Sequence, residues 1–302
     1  MQIANYSIWV KMKDIISNFE SINYEIIIFL HFNNELIKKC DKDNIIEFYN
    51  NLKYTYFVTE FDNKGLDILS FFKQIELIIK KNINLDYILK LHTKSNNKWR
   101  ASLIDPICGS TENILNCLNL LNNDEIGQVS AERWSKLMDH FNTPIILSEL
   151  KKFNIENFYI DEIDWEQKAK NLYDLDYFDP EFYLKYPYNG IFYEKSLEND
   201  KNKFNSFAIF HWLQIGYDKF KFVHNPNLVL KKTKHLRFSA GSIFWINARI
   251  LIEFFKKYIN FEEYYENFEY GYFNNEIPTL THTWERFFSI IVDISKKKSI
   301  VV

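Results

Sequence analysis

Residues Asp86–Arg100 read "DYILKLHTKSNNKWR": an apolar segment that passes without a turn into histidine, threonine, lysine and serine, followed by tryptophan and arginine. Short continuous apolar runs of this kind are the pattern of strands buried on both faces. Similar runs stand at residues 24–32 (YEIIIFLHF), 54–61 (YTYFVTEF) and, shorter, 125–130 (EIGQVS). Between them lie segments of helical period at 35–52, 66–82 and 109–123. Strands alternating with helices predict an α/β fold with a mostly parallel sheet and flanking helices. In such sheets ligands bind beyond the carboxyl ends of the strands, and the polar tail of Asp86–Arg100 falls at one of those ends.

From residue 151 to 235 the composition shifts to Tyr, Phe, Asp and Lys without long apolar runs, which reads as a helical insertion. The α/β character resumes at 236, and the chain is expected to divide as 1–150, 151–235 and 236–302. "TLTHTWERFFSIIVDISKKK" closes the sequence as a predicted helix, its lysines placed to suit a helix C-terminus.

The bulk properties exclude several classes. With 302 residues, 47% hydrophobic and 25% charged, the chain can bury a sizeable core. A formal charge of −3 argues against nucleic acid as the main partner, since phosphate backbones need a basic surface. Cys40, Cys108 and Cys117 are odd in number and lack CxxC spacing, so neither a disulfide framework nor a zinc site is expected. The opening residues carry no secretory pattern, and no run is long enough to span a bilayer. A cytoplasmic location is expected, compatible with peripheral membrane contact.

Four constellations carry candidate chemistry. His92, Thr93, Lys94 and Ser95 offer hydroxyls and backbone N–H groups to an anion, with Lys94 as a point charge and Arg100 as a bidentate fork for a diphosphate. The alternative is a solvated basic loop. In "DNKGLDILSFF", Asn63, Gly65 and Asp67 suit a loop that holds a ribose or base; equally, Gly65 supplies a positive φ and Asp67 an N-cap. Ser239, Ala240 and Gly241 are small residues between bulky ones, allowing close approach of a sugar or of another element. Trp245 is a core residue or a pyranose platform. On the last helix His282, Glu285 and Arg286 share a face at i, i+3 and i+4, as a salt bridge or as acid/base groups. HExxH, Walker, GxSxG and a GxGxxG after a strand are absent, and no DxD or similar acidic cluster follows a strand.

Taken in order, these motifs resemble the rhamnan synthesis protein F family, glycosyltransferases of bacterial polysaccharide assembly. The resemblance runs through Asn63-Lys64-Gly65-Leu66-Asp67, His92-Thr93-Lys94-Ser95 with Trp99-Arg100, Ile126-Gly127, Phe238–Trp245 and His282-Thr283-Trp284-Glu285-Arg286, spanning residues 20–292. The family's loop commonly carries Arg where Lys64 and Leu66 stand, and "EIPTLT" replaces its acidic Asp-Gly-Thr; Glu269 and Glu276 are nearby substitutes. Within the insertion, "FDPEFYLKYPYNG" and "FAIFHWLQIGYDKFKFVHNPN" are similar to a Phe-Asp-x-x-Tyr-Tyr-Leu / His-Tyr-x-x-x-Gly module appended to many glycan-building transferases. There Phe182, Tyr183, Trp212 and Gly216 are core and turn residues.

The resemblance implies a GT-A-like (Rossmann-like) fold, with 1–150 as the nucleotide-sugar half and 236–302 as the acceptor side. It implies transfer of a rhamnose-like or other hexose from a dTDP- or UDP-sugar to a glycan acceptor; the missing acidic cluster after a strand adds the expectation that no metal cofactor is required. His92, Thr93, Lys94, Ser95, Arg100, Asn63, Gly65 and Asp67 would hold the donor. Ser239, Gly241, Trp245 and Arg286 would meet sugar or acceptor, and Glu285, Glu269 and His282 are the candidate bases. A catalytically inactive glycan- or nucleotide-binding protein is the alternative expectation, and a purely structural interaction protein built on the Tyr-rich insertion a third.

Overall fold

The apolar runs become strands, and a two-residue strand at the start of the chain joins them into one surface. The structure is a computed structural model that describes residues 1–93, 95–131, 135–137, 143–155, 178–185, 190–212, 237–271 and 279–302. The chain divides into two compact units: Met1–Leu137 with Arg237–Phe273 and Thr279–Val302, and Met138–Leu236 with Asn274–Pro278.

In the first unit β1 (Gln2–Ile3), β2 (Ile27–Asn33) and β3 (Thr55–Phe61) form a parallel sheet in the order β1-β2-β3. A second sheet joins β4 (Tyr87–Lys90), β5 (Ile126–Ser130), β8 (Phe244–Asn247) and β9 (Lys298–Val301) in the order β4-β8-β5-β9. The two are stitched by a parallel bridge between Gln2 and His92, with Gln2 N donating to Leu91 O at 3.0 Å and Thr93 N to Gln2 O at 3.1 Å. The combined order is β3-β2-β1-β4-β8-β5-β9. Only β8 runs against its neighbours, antiparallel to both β4 and β5. Two short strands, β6 (Ser135–Leu137) and β7 (Arg237–Ser239), pair with each other.

Helices of this unit are α1 (Tyr6–Met12), α2 (Lys39–Asn50), α3 (Leu66–Lys80), α4 (Asn97–Cys108) and α5 (Thr111–Leu121). Their boundaries follow caps: Asn5, Asn96 and Ser110 accept from N–H groups of α1, α4 and α5. The helix at Asn97–Cys108 occupies a stretch to which the sequence reading assigned no helix; Pro106 lies inside it, while Leu103, Ile104, Ile107 and Cys108 are buried. Cys40, Cys108 and Cys117 are free thiols.

Gly65 opens α3 at φ +60, and a Cβ there would stand 2.6 Å from Leu69 Cβ. The positive φ matches expectation, whereas Asp67 is not the N-cap: it sits in the first turn, its carboxylate turned elsewhere. Gly65→Ala combines left-handed strain with overpacking, so a loss of about 2–4 kcal/mol is expected. The urea midpoint should fall at constant m, and an unchanged midpoint would refute the role.

The C-terminal segment of this unit holds α9 (Ala248–Tyr258), α10 (Phe261–Asn267) and α11 (Leu280–Ile294), the unit's last helix. Phe72 of α3 lies 4.8 Å from Phe255, 5.3 Å from Tyr264, 5.2 Å from Phe268 and 4.7 Å from Trp284, centroid to centroid. Pairs of this kind add about 0.5–1.5 kcal/mol each beyond burial. They lock α3 against α11, which fixes where Asp67 and Glu285 stand. The expected terminal lysines do not finish α11: Lys296 adopts φ +57, Lys297 N returns to Val292 O at 3.1 Å, and the chain turns into β9 beside β5. A left-handed residue of this sort ends a helix by satisfying its last carbonyls.

His31 of β2 is buried, with Nδ1 2.9 Å from Thr59 Oγ1. Since that hydroxyl donates to Leu30 O, Nδ1 carries the proton. Burial first, then the Met1 ammonium and Lys73, push His31 down to about 3. The unfolded chain protonates this histidine near 6.5, so stability is full above that pH and falls as pH drops toward 3. At pH 4.5 the loss is about 2–3 kcal/mol. His31→Asn should flatten this part of the stability profile; the same acid slope in both proteins would refute it.

The second unit contributes α6 (Thr143–Lys152), α7 (Pro180–Lys185) and α8 (Lys201–His211). Tyr183, Leu184, Phe204, Ala208 and Trp212 form its buried cluster, and the Tyr183 hydroxyl meets His211 Nδ1 at 3.0 Å. Gly216 lies outside the described residues. No helix of the described residues is long and apolar enough to cross a membrane.

Candidate functional site

The strand order reverses at β1: β2 and β3 lie to one side, β4, β8, β5 and β9 to the other. Crevices in open α/β sheets form at such a switch, outside the carboxyl ends of the strands. Here the edge is formed by Ala4 and Thr93, whose Oγ1 accepts the Ala4 N–H at 3.1 Å.

Alternation along β4 and its continuation places Ile88, Lys90 and His92 on one buried face. The Lys90 side chain is 3% exposed and ion-paired to Asp67, itself 13% exposed. Lys90 Nζ also donates to Ser242 O at 3.0 Å. Burial lowers the Lys90 ammonium's proton affinity, while Asp67 and, more distantly, Glu285 act to raise it. His92 Nε2 stands 2.7 Å from Gly241 O. A carbonyl only accepts, so Nε2 carries a proton. The other nitrogen, Nδ1, is 3.5 Å from Asp67 Oδ1.

The turn that receives these side chains is unusual backbone. Gly241 has φ +92 and Ser242 φ +54, and Ser239 Oγ closes the turn on Ile243 O at 2.9 Å. Gly241 N–H donates to Glu285 Oε1. Glu285 Oε2 meets Arg286 Nη1 at 3.2 Å; that same nitrogen donates to His282 O at 2.7 Å, and the guanidinium lies 4.4 Å from the Phe238 ring centroid. Side chains of Lys90, His92 and Glu285, from β4, its following residues and α11, therefore grip three backbone atoms of one turn.

Around this centre the loops are zipped together. Gly65 N donates to Glu269 O at 2.7 Å and Gly271 N to Asn63 O at 2.6 Å. Lys64 donates to the Tyr265 and Glu266 carbonyls at the end of α10. Asn63 Oδ1 accepts from Asn33 at 3.0 Å. The Glu269 carboxylate accepts Leu280 N, Thr281 N and the Thr281 hydroxyl, so it caps α11 rather than facing a hydroxyl to be deprotonated. His282 Nδ1 lies 3.0 Å from Thr279 Oγ1, the N-cap of that helix.

Asp67, His92, Gly241, Glu285 and Arg286 are thus brought together, with Thr93 beside them. Trp245 is not a sugar platform: it is 5% exposed and its indole N–H donates to Ile107 O at 3.0 Å in the core. Ser239 is spent on closing its turn, Ser95 is exposed, and Arg100 donates to Asn97 Oδ1 at 2.9 Å within the first turn of α4. Lys94 and Glu276 lie outside the described residues. Sequence reasoning missed Lys90. Its signal was present, because a lysine inside the apolar run "YILKLH" needs a buried carboxylate partner. Among the described residues no group of three or more His, Cys, Asp or Glu side chains is arranged to hold a metal ion.

Comparison with protein-family models, with curated proteins and with solved structures found no match for this chain. What fold and site define is a mixed α/β protein with a parallel three-stranded sheet, flanking helices and a charged cluster at its strand ends.

Proposed function

We propose that the chain is a cytoplasmic glycosyltransferase of the GT-A-like type, moving a sugar from a nucleotide diphosphate sugar to a glycan acceptor. The observation that carries this reading is the convergence of Asp67, Lys90, His92, Gly241 and Glu285 beyond the carboxyl end of β4, beside the β1 switch. The strand order and its single reversed strand support the GT-A-like assignment. The order of motifs supports a rhamnose-like or other hexose donor carried on dTDP or UDP.

Transfer develops positive charge at the sugar carbon and negative charge on the departing diphosphate, so cations must face that leaving group. Lys94, Arg100 and the His92 region are the groups assigned to it, without a divalent ion. Glu285 is assigned as the base that takes the acceptor proton, since its carboxylate keeps a fixed orientation between Gly241 N–H and Arg286. Glu269 and His282 then orient the helix that presents it.

The test is donor hydrolysis and transfer by the purified protein across UDP- and dTDP-sugars, dTDP-rhamnose first, with EDTA present. Turnover that persists in EDTA is expected. Complete loss rescued by Mn²⁺ would overturn the metal-free clamp. Acceptor binding by calorimetry with no turnover of any donor would replace the transferase by an inactive glycan-binding protein.

A further inference from the structure

We propose that His92 is held as its imidazolium at neutral pH, with Asp67 as the group that keeps it charged, and that it places a fixed buried cation at the carboxyl end of β4. Only the use of that charge, to face a departing diphosphate, rests on the transferase reading.

The geometry is one of matching. Nε2 faces the Gly241 carbonyl at 2.7 Å, and Nδ1 faces Asp67 Oδ1 at 3.5 Å. Both neighbours are acceptors, and only the doubly protonated ring offers a donor to each. A neutral ring that donates to the carbonyl turns the Nδ1 lone pair toward a carboxylate, in a place where the histidine side chain is 6% exposed. Carboxylates beside a histidine at this range favour its charged form.

Other charges among the described residues act on it. Lys90, on the same strand, binds the second oxygen of Asp67 and opposes a further cation, as does burial. Glu285, held on the Gly241 N–H, acts in favour of the charge. Lys90 is itself anchored on Ser242 O, so Asp67 serves two cations through its two oxygens.

The experiment is side-chain ¹⁵N NMR of the full chain labelled at histidine, with the His92 signals assigned by their loss in His92→Gln. In the unaltered protein at pH 7 both ring nitrogens should read as protonated, with a midpoint at least one pH unit above the ordinary histidine value. Asp67→Asn should lower that midpoint by a unit or more, a tenfold loss of proton affinity, while Lys90→Met should raise it. A singly protonated ring at pH 7 in the unaltered protein overturns the proposal even if neither variant folds. So does a midpoint unmoved in a folded Asp67→Asn protein. Absence of sugar transfer alongside a doubly protonated ring would defeat the transferase reading and leave this one standing.

Discussion

On the proposed glycosyltransferase reading, Glu285→Gln is expected to lower kcat for sugar transfer by about 10²–10⁴-fold, the range lost when a positioned general base is removed. The substitution is chosen because it preserves shape. A glutamine Oε1 still accepts the Gly241 N–H, so the left-handed turn at Gly241 and Ser242 keeps its anchor. What disappears is the charge that takes a proton and pairs with Arg286, a pair whose side chains are only 10% and 17% exposed. KM for the donor should change little, and unfolding should shift by about 1–3 kcal/mol, because a largely buried Arg286 loses the charge it pairs with. Initial rates over a range of donor concentrations, beside a thermal melt, separate these effects. Wild-type kcat in a folded Glu285→Gln protein would remove Glu285 from the chemistry.

The largest effect on stability is expected at Lys90 and Asp67. Lys90→Met strands the Asp67 carboxylate beside His92 with its ammonium gone. Asp67→Leu strands the ammonium in the interior, where, among the described residues, Ser242 O, the Phe71 face 5.5 Å away and, more distantly, Glu285 remain. Asp67→Leu should cost about 3–5 kcal/mol, because breaking a buried pair leaves an uncompensated charge, and Lys90→Met less, because His92 still faces the carboxylate. The double variant removes both charges and should be much less destabilised than the sum of the singles, with a coupling of about 2 kcal/mol or more. Urea unfolding of the four proteins measures it. Additive losses would mean that the two side chains do not act as a pair.

The strands at Ile27–Asn33, Thr55–Phe61, Tyr87–Lys90 and Ile126–Ser130 were legible as apolar runs, and α3 and α11 as helical periods, since burial on a regular element leaves a periodic trace. Gln2–Ile3 left none. Two residues carry no period, and they become a strand only because Leu91–Thr93 offers one side of a slot and β2 the other. The direction of β8 was equally silent, because "SIFWIN" reads the same in either sense until Tyr87 and Asn247 are paired. At the site, Asp67, His92, Gly241 and Glu285 could be named from their motifs. Lys90 was hidden because its role depends on a carboxylate 23 residues away in the chain.

Taken alone, the amino-acid sequence determined the longer strands, the helices at α3 and α11, the left-handed opening of α3 at Gly65 and the polar end of the third apolar run, because backbone dihedrals and apolar periodicity are local properties. Only the tertiary structure decided that β1 joins the two sheets and that Trp245 belongs to the core. It alone put Lys90, Asp67, His92 and Glu285 around one turn of backbone. Side-chain charge has no periodicity, and its partner is chosen by which distant elements the aromatic packing of Phe72 and Trp284 brings face to face.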